Sequence, residues 1–216
     1  MIYLGLDIGQ AADYTALAAD DLTMEQTGFD TSGELAYDLI HRIRHVERYP
    51  LGMSYPDMAN RVIKTVETPQ LRDCRLVVDA TGVGRPVVDL LRGSKVHIIP
   101  VVITGGLVEK FDADTGFWYI PKRLLVSTVQ VVLGHGRLRF AKLPESETIK
   151  REFQNFKLKI TKAANDTYEA WRDGDHDDLV LSVALAVYFG ERHREPPKKA
   201  TKTEHPMVRL ARAGVV

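Results

Sequence analysis

The run Arg75-Leu76-Val77-Val78-Asp79-Ala80-Thr81-Gly82-Val83-Gly84 constrains this chain more than any other stretch. It is continuously apolar, it breaks on a glycine-rich turn, and the chain enters a helix at Pro86, where proline's fixed φ suits the first helical turn. A strand apolar on both faces has to be covered on both, which is the condition of a central parallel strand in an α/β fold. Asp79 then stands at the carboxyl end of that strand, where open α/β sheets bind ligands.

A second strand opens the chain. Ile2, Leu4, Leu6 and Ile8 alternate with Tyr3, Gly5 and Asp7, which sends Asp7 to the face opposite the apolar set. Gly9 ends this run and Tyr14 to Ala19 resumes it, so a turn brings the chain back as an antiparallel neighbour. Near the other end, Gly174-Asp175-His176-Asp177-Asp178 precedes a helix whose apolar face is Leu179, Val183, Ala186 and Val187. Asp177 and Asp178 fall at its N-terminus, where the helix dipole favours anions. A cap needs one carboxylate, whereas crowded like charges need a cation among them, and a divalent ion supplies it. Asp7, Asp79 and the Asp177-Asp178 pair thus read as one site gathered from three distant segments, with the carboxylates expected to be exposed.

Between these landmarks, Ser54-Tyr55-Pro56-Asp57 opens a capped helix carrying Met58, Val62 and Val66 and ending near Pro69. A helix from Pro86 to Leu91 and an apolar strand from Val96 to Ile103 follow, the alternation of a parallel sheet layered by helices. Pro121 starts a helix through Leu133, closed by Gly134-His135-Gly136, and another helix runs from about Ser146 to Asn155. Phe156 to Thr161 alternates as a strand and is expected to pair with Thr167 to Trp171 in a small β-hairpin, Asn165-Asp166 supplying the turn. Residues 1–191 are expected to form one domain, and periodicity stops at about Arg192, where 192–216 reads as a flexible basic tail.

The 44% hydrophobic content over 216 residues suits a single α/β core. No apolar stretch approaches the ~18 residues of a membrane span and no signal peptide is evident. The single cysteine, Cys74, precedes a central strand and is expected in the core of a cytoplasmic protein. The 29 Lys and Arg balance 29 Asp and Glu, against strong affinity for nucleic acid. The distribution is uneven, however: Lys150, Arg151, Lys157, Lys159 and Lys162 cluster, as do Lys122 with Arg123 and Arg137 with Arg139. Acidic metal ligands elsewhere offset such patches in the sum.

Taken in order, Gly5-Leu6-Asp7-Ile8-Gly9 with Asp13-Tyr14-Thr15-Ala16-Leu17, Val77 to Gly84, and His176-Asp177-Asp178-Leu179-Val180 resemble the nuclease domain of the tailed-phage terminase large subunit, in the RNase H-like (Holliday-resolvase-like) superfamily. Weaker matches are Tyr119-Ile120-Pro121-Lys122-Arg123, Gly136-Arg137-Leu138 and Glu152-Phe153-Gln154-Asn155-Phe156, so the resemblance covers residues 1 to about 190. It implies a central mixed sheet, antiparallel in its first strands and then parallel, flanked by helices. It also implies a metal-dependent endonuclease that hydrolyses double-stranded DNA with low sequence specificity during viral genome packaging in the host cytoplasm. Two ions, Mg²⁺ or Mn²⁺, are the implied cofactors. Asp7 is implied as the bridging ligand, with Asp79 to one metal, Asp178 to the other, and Asp177 as alternate or outer ligand.

The resemblance implies Lys122 as a phosphate contact and allows His176 a place at the scissile phosphate or a metal, while the clustering of basic residues makes Arg123, Lys157 and Lys159 further candidates for DNA. Implied partners are a packaging ATPase, a small terminase subunit and a portal. Two departures stand out. Where the superfamily often has another Asp one turn into the last helix, this chain has Leu181, and no G-x-x-x-x-G-K-[ST] phosphate loop occurs. An excised domain or a separately encoded nuclease subunit is therefore expected. A junction resolvase, an actin-like ATPase or kinase, and a non-catalytic DNA-binding or assembly module are the alternatives; 216 residues hold one copy of a fold that the ATPases duplicate.

Overall fold

The computed structural model describes residues 1–9, 13–29, 31–71, 73–82, 84–163 and 177–192. Its strands are β1 (Ile2–Asp7), β2 (Ala16–Phe29), β3 (Leu35–Arg48), β4 (Arg75–Asp79), β5 (His97–Thr104), β6 (Lys110–Asp112), β7 (Phe117–Pro121) and β8 (Leu138–Phe140). The helices are α1 (Tyr55–Val66), α2 (Gly84–Leu91), α3 (Lys122–Gly134), α4 (Ser146–Ala163) and α5 (Asp178–Arg192). All the strands join one sheet in the order β6-β7-β5-β4-β1-β2-β3-β8. β1-β2-β3 is antiparallel, whereas β1, β4, β5 and β7 run parallel to one another. The mixed α/β architecture read from the motifs is therefore the observed one.

Strand parity decides which residues meet which helix layer. Leu4, Leu6, Leu76 and Val78 face α1 and α2, packing with Met58, Val62, Val87 and Leu91. Tyr3 and Val77 face the opposite layer, packing with Val183, Ala186 and Val187 of α5. Asp7 and Asp79 share the parity of Tyr3 and Val77, so both carboxylates point to the α5 side. Every residue of α5 from Asp178 to Gly190 is buried, as a helix apolar on all sides must be. Each Leu or Val so covered contributes about 1.5–3 kcal/mol of burial. α5 reaches the sheet because β1 has no side chain at Gly5: a Cβ there would stand 1.8 Å from the carbonyl oxygen of Ser182.

Three expectations need correction. Phe156 to Thr161 is not a strand, because α4 continues through it to Ala163. The residues that alternate there also extend the helical spacing of Ile149 and Phe153 to Phe156 and Ile160, and the longer period prevails once α4 has begun. The partner segment of the expected hairpin, Thr167 to Trp171, lies outside the described residues, as does the tail from residue 193; Arg192 itself closes α5. Second, the β2-β3 ribbon is far longer than the Tyr14 to Ala19 run suggests. Its register shifts between Ala19 and Asp20 and between Gln26 and Gly28 interrupt the alternation that marks a strand. Third, the acidic residues are not exposed: Asp7, Asp79 and Asp178 are 8%, 8% and 5% accessible.

Cys74 is buried, and burial pushes its thiol up to about 11. Among the described residues no helix is long and apolar enough to cross a membrane.

Candidate active site

β1 and β4 are adjacent and parallel, with Leu6 opposite Val78. The next residue on each strand is an aspartate, so Asp7 and Asp79 end side by side at the carboxyl edge of the sheet. Thr81 locks the second one, its backbone N–H donating to Asp79 Oδ1 at 2.8 Å while its hydroxyl accepts from the Ile103 N–H at 2.7 Å. On the other strand, Gly9 N–H donates to Thr15 Oγ1 at 3.1 Å, which folds the end of β1 back toward β2.

α5 delivers the remaining acids. The Asp177 carbonyl accepts from Leu181 N–H at 2.9 Å, placing Asp177 at the cap and Asp178 in the first turn. Lys122, first residue of α3, donates through Nζ to Asp177 Oδ2 at 3.2 Å. Leu181, where the resemblance leads one to look for another acid, is a buried apolar residue.

The electrostatics are those of an over-crowded acidic cluster. Burial, followed by the charges of Asp79, Asp178 and Asp177, raises the Asp7 carboxyl well above the usual carboxylate range, and Lys122 only partly opposes this. Burial also raises Asp79, offset in part by its hydrogen bonds with Thr81 and Asp7 and by Lys122. The hydrogen bond between the two carboxyls favours the charged form of Asp79.

Two residues that the sequence reading did not assign to the site complete it. Arg48, last residue of β3, pairs through Nη2 with Glu152 Oε1 of α4 and lies 3.3 Å from Asp178 Oδ2. Its guanidinium also stacks over the Tyr14 ring, 5.0 Å from the centroid. Glu152 is 7% accessible and accepts from the Leu179 N–H at 3.2 Å. Burial foremost, and the Asp178 charge, push its carboxyl up to about 7 against the pull of Arg48 and the α5 amides. A signal existed for Glu152, since it heads one of the weaker matched segments; Arg48 had none, because β3 itself was not read.

The other candidate residues divide. Asp7, Asp79, Asp177, Asp178 and Lys122 come together. Arg123, the next residue, is exposed and donates to the Leu107 carbonyl at 2.6 Å instead. Lys157 and Lys159 lie on the backbone of α4, their side chains outside the described residues, and His176 is outside them altogether. Arg137 and Arg139 form no free basic patch, being paired with Glu191 and Glu25.

The donors fit a hard divalent cation in kind: carboxylate oxygens, buried, with neighbouring acids that raise the Asp7 carboxyl. Among the described residues, however, no three His, Cys, Asp or Glu side chains converge on one point. Lys122 holds Asp177 and Arg48 holds Asp178 instead.

Comparison with known proteins agrees with the motifs. The chain is 24% identical over 212 residues to the terminase large subunit of Thermus virus P23-45, covering 94% of this chain and 36% of that protein. To the terminase large subunit of Thermus phage G20c it is 25% identical over the same span. The chain thus spans 36% of the length of these relatives. In structure it matches the crystallised large terminase nuclease of thermophilic phage G20c with a TM-score of 0.52 and 18% identity, over 88% of this chain and 82% of that one. No protein-family model matches the chain. The resemblance to terminase large subunits thus holds in sequence, and the fold is that of the large terminase nuclease.

Proposed function

We propose that this chain is a metal-dependent DNA endonuclease of the terminase large-subunit type, hydrolysing phosphodiester bonds of double-stranded DNA with little sequence preference. The observation that carries the proposal is that buried Asp7 and Asp79 end the adjacent strands β1 and β4 beside buried Asp178 in the first turn of α5, in a chain similar over most of its length to terminase large subunits. Such an acidic cluster repels an anionic substrate until cations neutralise it, and Asp7, Asp79 and Asp178, with Asp177 beside them, are the residues that would hold Mg²⁺ or Mn²⁺. Bound there, two divalent ions supply the Lewis acidity that makes water nucleophilic and offsets charge on the departing 3′ oxygen.

The protein's own groups orient and balance. Thr81 restrains the Asp79 carboxylate through its backbone N–H. The amino end of α5 adds its partial positive charge beside Asp178, and Lys122 stands next to Asp177 with a charge that suits a DNA phosphate. Double-stranded DNA, a packaging ATPase, a small terminase subunit and a portal are the proposed partners, in the cytoplasm of an infected host.

Plasmid cleavage tests this. The purified chain is expected to nick or linearise plasmid in Mn²⁺ or Mg²⁺, to be inert in EDTA, and to leave scattered ends. Cleavage that persists in EDTA overturns the metal-dependent reading, and a marked preference for four-way junctions over linear duplex replaces the terminase assignment with a resolvase one.

A further inference from the structure

Three elements meet at Asp178, and two charged side chains there neither belong to the acid cluster nor stand in its position. Glu152 accepts from the Leu179 amide at 3.2 Å through Oε2 and engages Arg48 through Oε1. Arg48 reaches Asp178 Oδ2 at 3.3 Å with the same Nη2 that engages Glu152. Its Nε is buried without a hydrogen-bond partner among the described residues, so its guanidinium is held by these two carboxylates and by the Tyr14 ring beneath it. One nitrogen is therefore divided between two carboxylates. Whatever Glu152 takes of that cation, Asp178 does not.

We propose that Glu152 and Arg48 are a positioning pair for Asp178, in which Glu152 fixes the first turn of α5 and restrains Arg48, so that a divalent cation can displace the guanidinium from the Asp178 carboxylate. This rests on the nuclease reading of the acid cluster. Neither residue touches the substrate; both act through Asp178. Without the charge of Glu152, Arg48 pairs fully with Asp178 and competes with the incoming ion. Outer partners of this kind commonly alter metal affinity by about 10–100-fold.

The test is calorimetric titration of the full 216-residue chain with MnCl₂ in the absence of DNA, alongside cleavage and thermal unfolding. Glu152→Gln, which keeps the size and an acceptor for the Leu179 amide, is expected to weaken Mn²⁺ binding about tenfold. In an Arg48→Met background the same substitution is expected to cost less than about threefold, because no guanidinium remains to be released onto Asp178. Arg48→Lys, whose ammonium cannot stack on the Tyr14 ring as the planar guanidinium does, is expected to weaken Mn²⁺ binding at least about threefold and serves if Glu152→Gln does not fold. Unchanged Mn²⁺ affinity in folded Glu152→Gln or Arg48→Lys, or an equal effect of Glu152→Gln in both backgrounds, overturns the proposal. A wild-type chain that binds Mn²⁺ yet leaves DNA intact removes the nuclease reading alone, since the pair is judged on ion binding; one that binds no Mn²⁺ removes both.

Discussion

At Asp7 a single carboxyl carries the conflict between stability and function. Its folded-state affinity for protons is raised by burial and by three neighbouring acids, so the folded chain without cations is penalised wherever the unfolded carboxyl would be ionised, that is, above the ordinary value of 3.8. Asp7→Asn is therefore expected to abolish cleavage while holding or raising the melting temperature at pH 7.5 in EDTA, and Asp79→Asn to behave alike. Cleavage near the wild-type rate by either variant would show that its aspartate is no metal ligand. Gly5 is constrained by shape instead. A methyl group there meets the backbone oxygen of Ser182 at 1.8 Å and its carbonyl carbon at 2.9 Å, atoms that cannot swing aside as a side chain would. Gly5→Ala is expected to cost about 3 kcal/mol in urea unfolding, and by lifting α5 from β1 to lower cleavage as well. A loss below about 0.5 kcal/mol would mean that α5 is not seated as tightly as the structure has it.

At the scale of elements, α5 is held at both ends by buried charge. Its amino end carries Asp178 into the acid cluster; its carboxyl end is clamped through Glu191. His41 of β3 lies between Asp20 Oδ2 at 2.5 Å and Glu191 Oε1 at 2.9 Å, and Arg137 grips Glu191 at 2.7 Å. Burial lowers the His41 imidazole, but its bonds to Asp20 and Glu191 outweigh that and raise it above the ordinary 6.5. Burial likewise opposes ionisation of Glu191, yet His41 and Arg137 hold it down to about 2. The signs follow by linkage. A raised His contributes stability below 6.5 that is lost as pH climbs through its folded value, whereas a depressed Glu contributes above 4.5 and loses that contribution as pH falls toward 2. The clamp is thus strongest from about pH 4.5 to 6.5. Thermal unfolding across pH should show His41→Gln losing most, relative to wild type, in that window and less at pH 9. A deficit independent of pH would mean that His41 acts by packing alone.

For the whole molecule, zero net charge conceals how the cations are distributed. Arg42 and Arg139 pair with Glu25, Arg44 with Asp21, Arg61 with Glu47 and Arg137 with Glu191, so much of the basic surface is already neutralised. Phosphate contacts position a duplex without reading its bases. Binding by this chain is therefore expected to be weak and strongly salt-dependent. Combining Lys157→Ala with Lys159→Ala should reduce cleavage most at moderate salt and least at very low salt, each lost phosphate contact lowering the salt slope by about one. An equal reduction at all salt concentrations would remove these lysines from the DNA track.

The acids were legible in the residues alone because strand parity and helix starts are local properties. The alternation of Ile2 to Ile8, the glycine break after Asp79 and the apolar face following Asp178 each put a carboxylate at the end of an element, and the order of those segments carried the family resemblance. Local period failed where two periods coexist, at Phe156 to Thr161, and where bulges interrupt alternation along β2 and β3. What only the tertiary structure decided is the company those acids keep. Their burial depends on α5 closing over Gly5, and Arg48 and Glu152 lie 104 residues apart in sequence. No local pattern encodes an ion pair of that separation; it exists because the end of β3 and the Glu152 turn of α4 meet the first turn of α5.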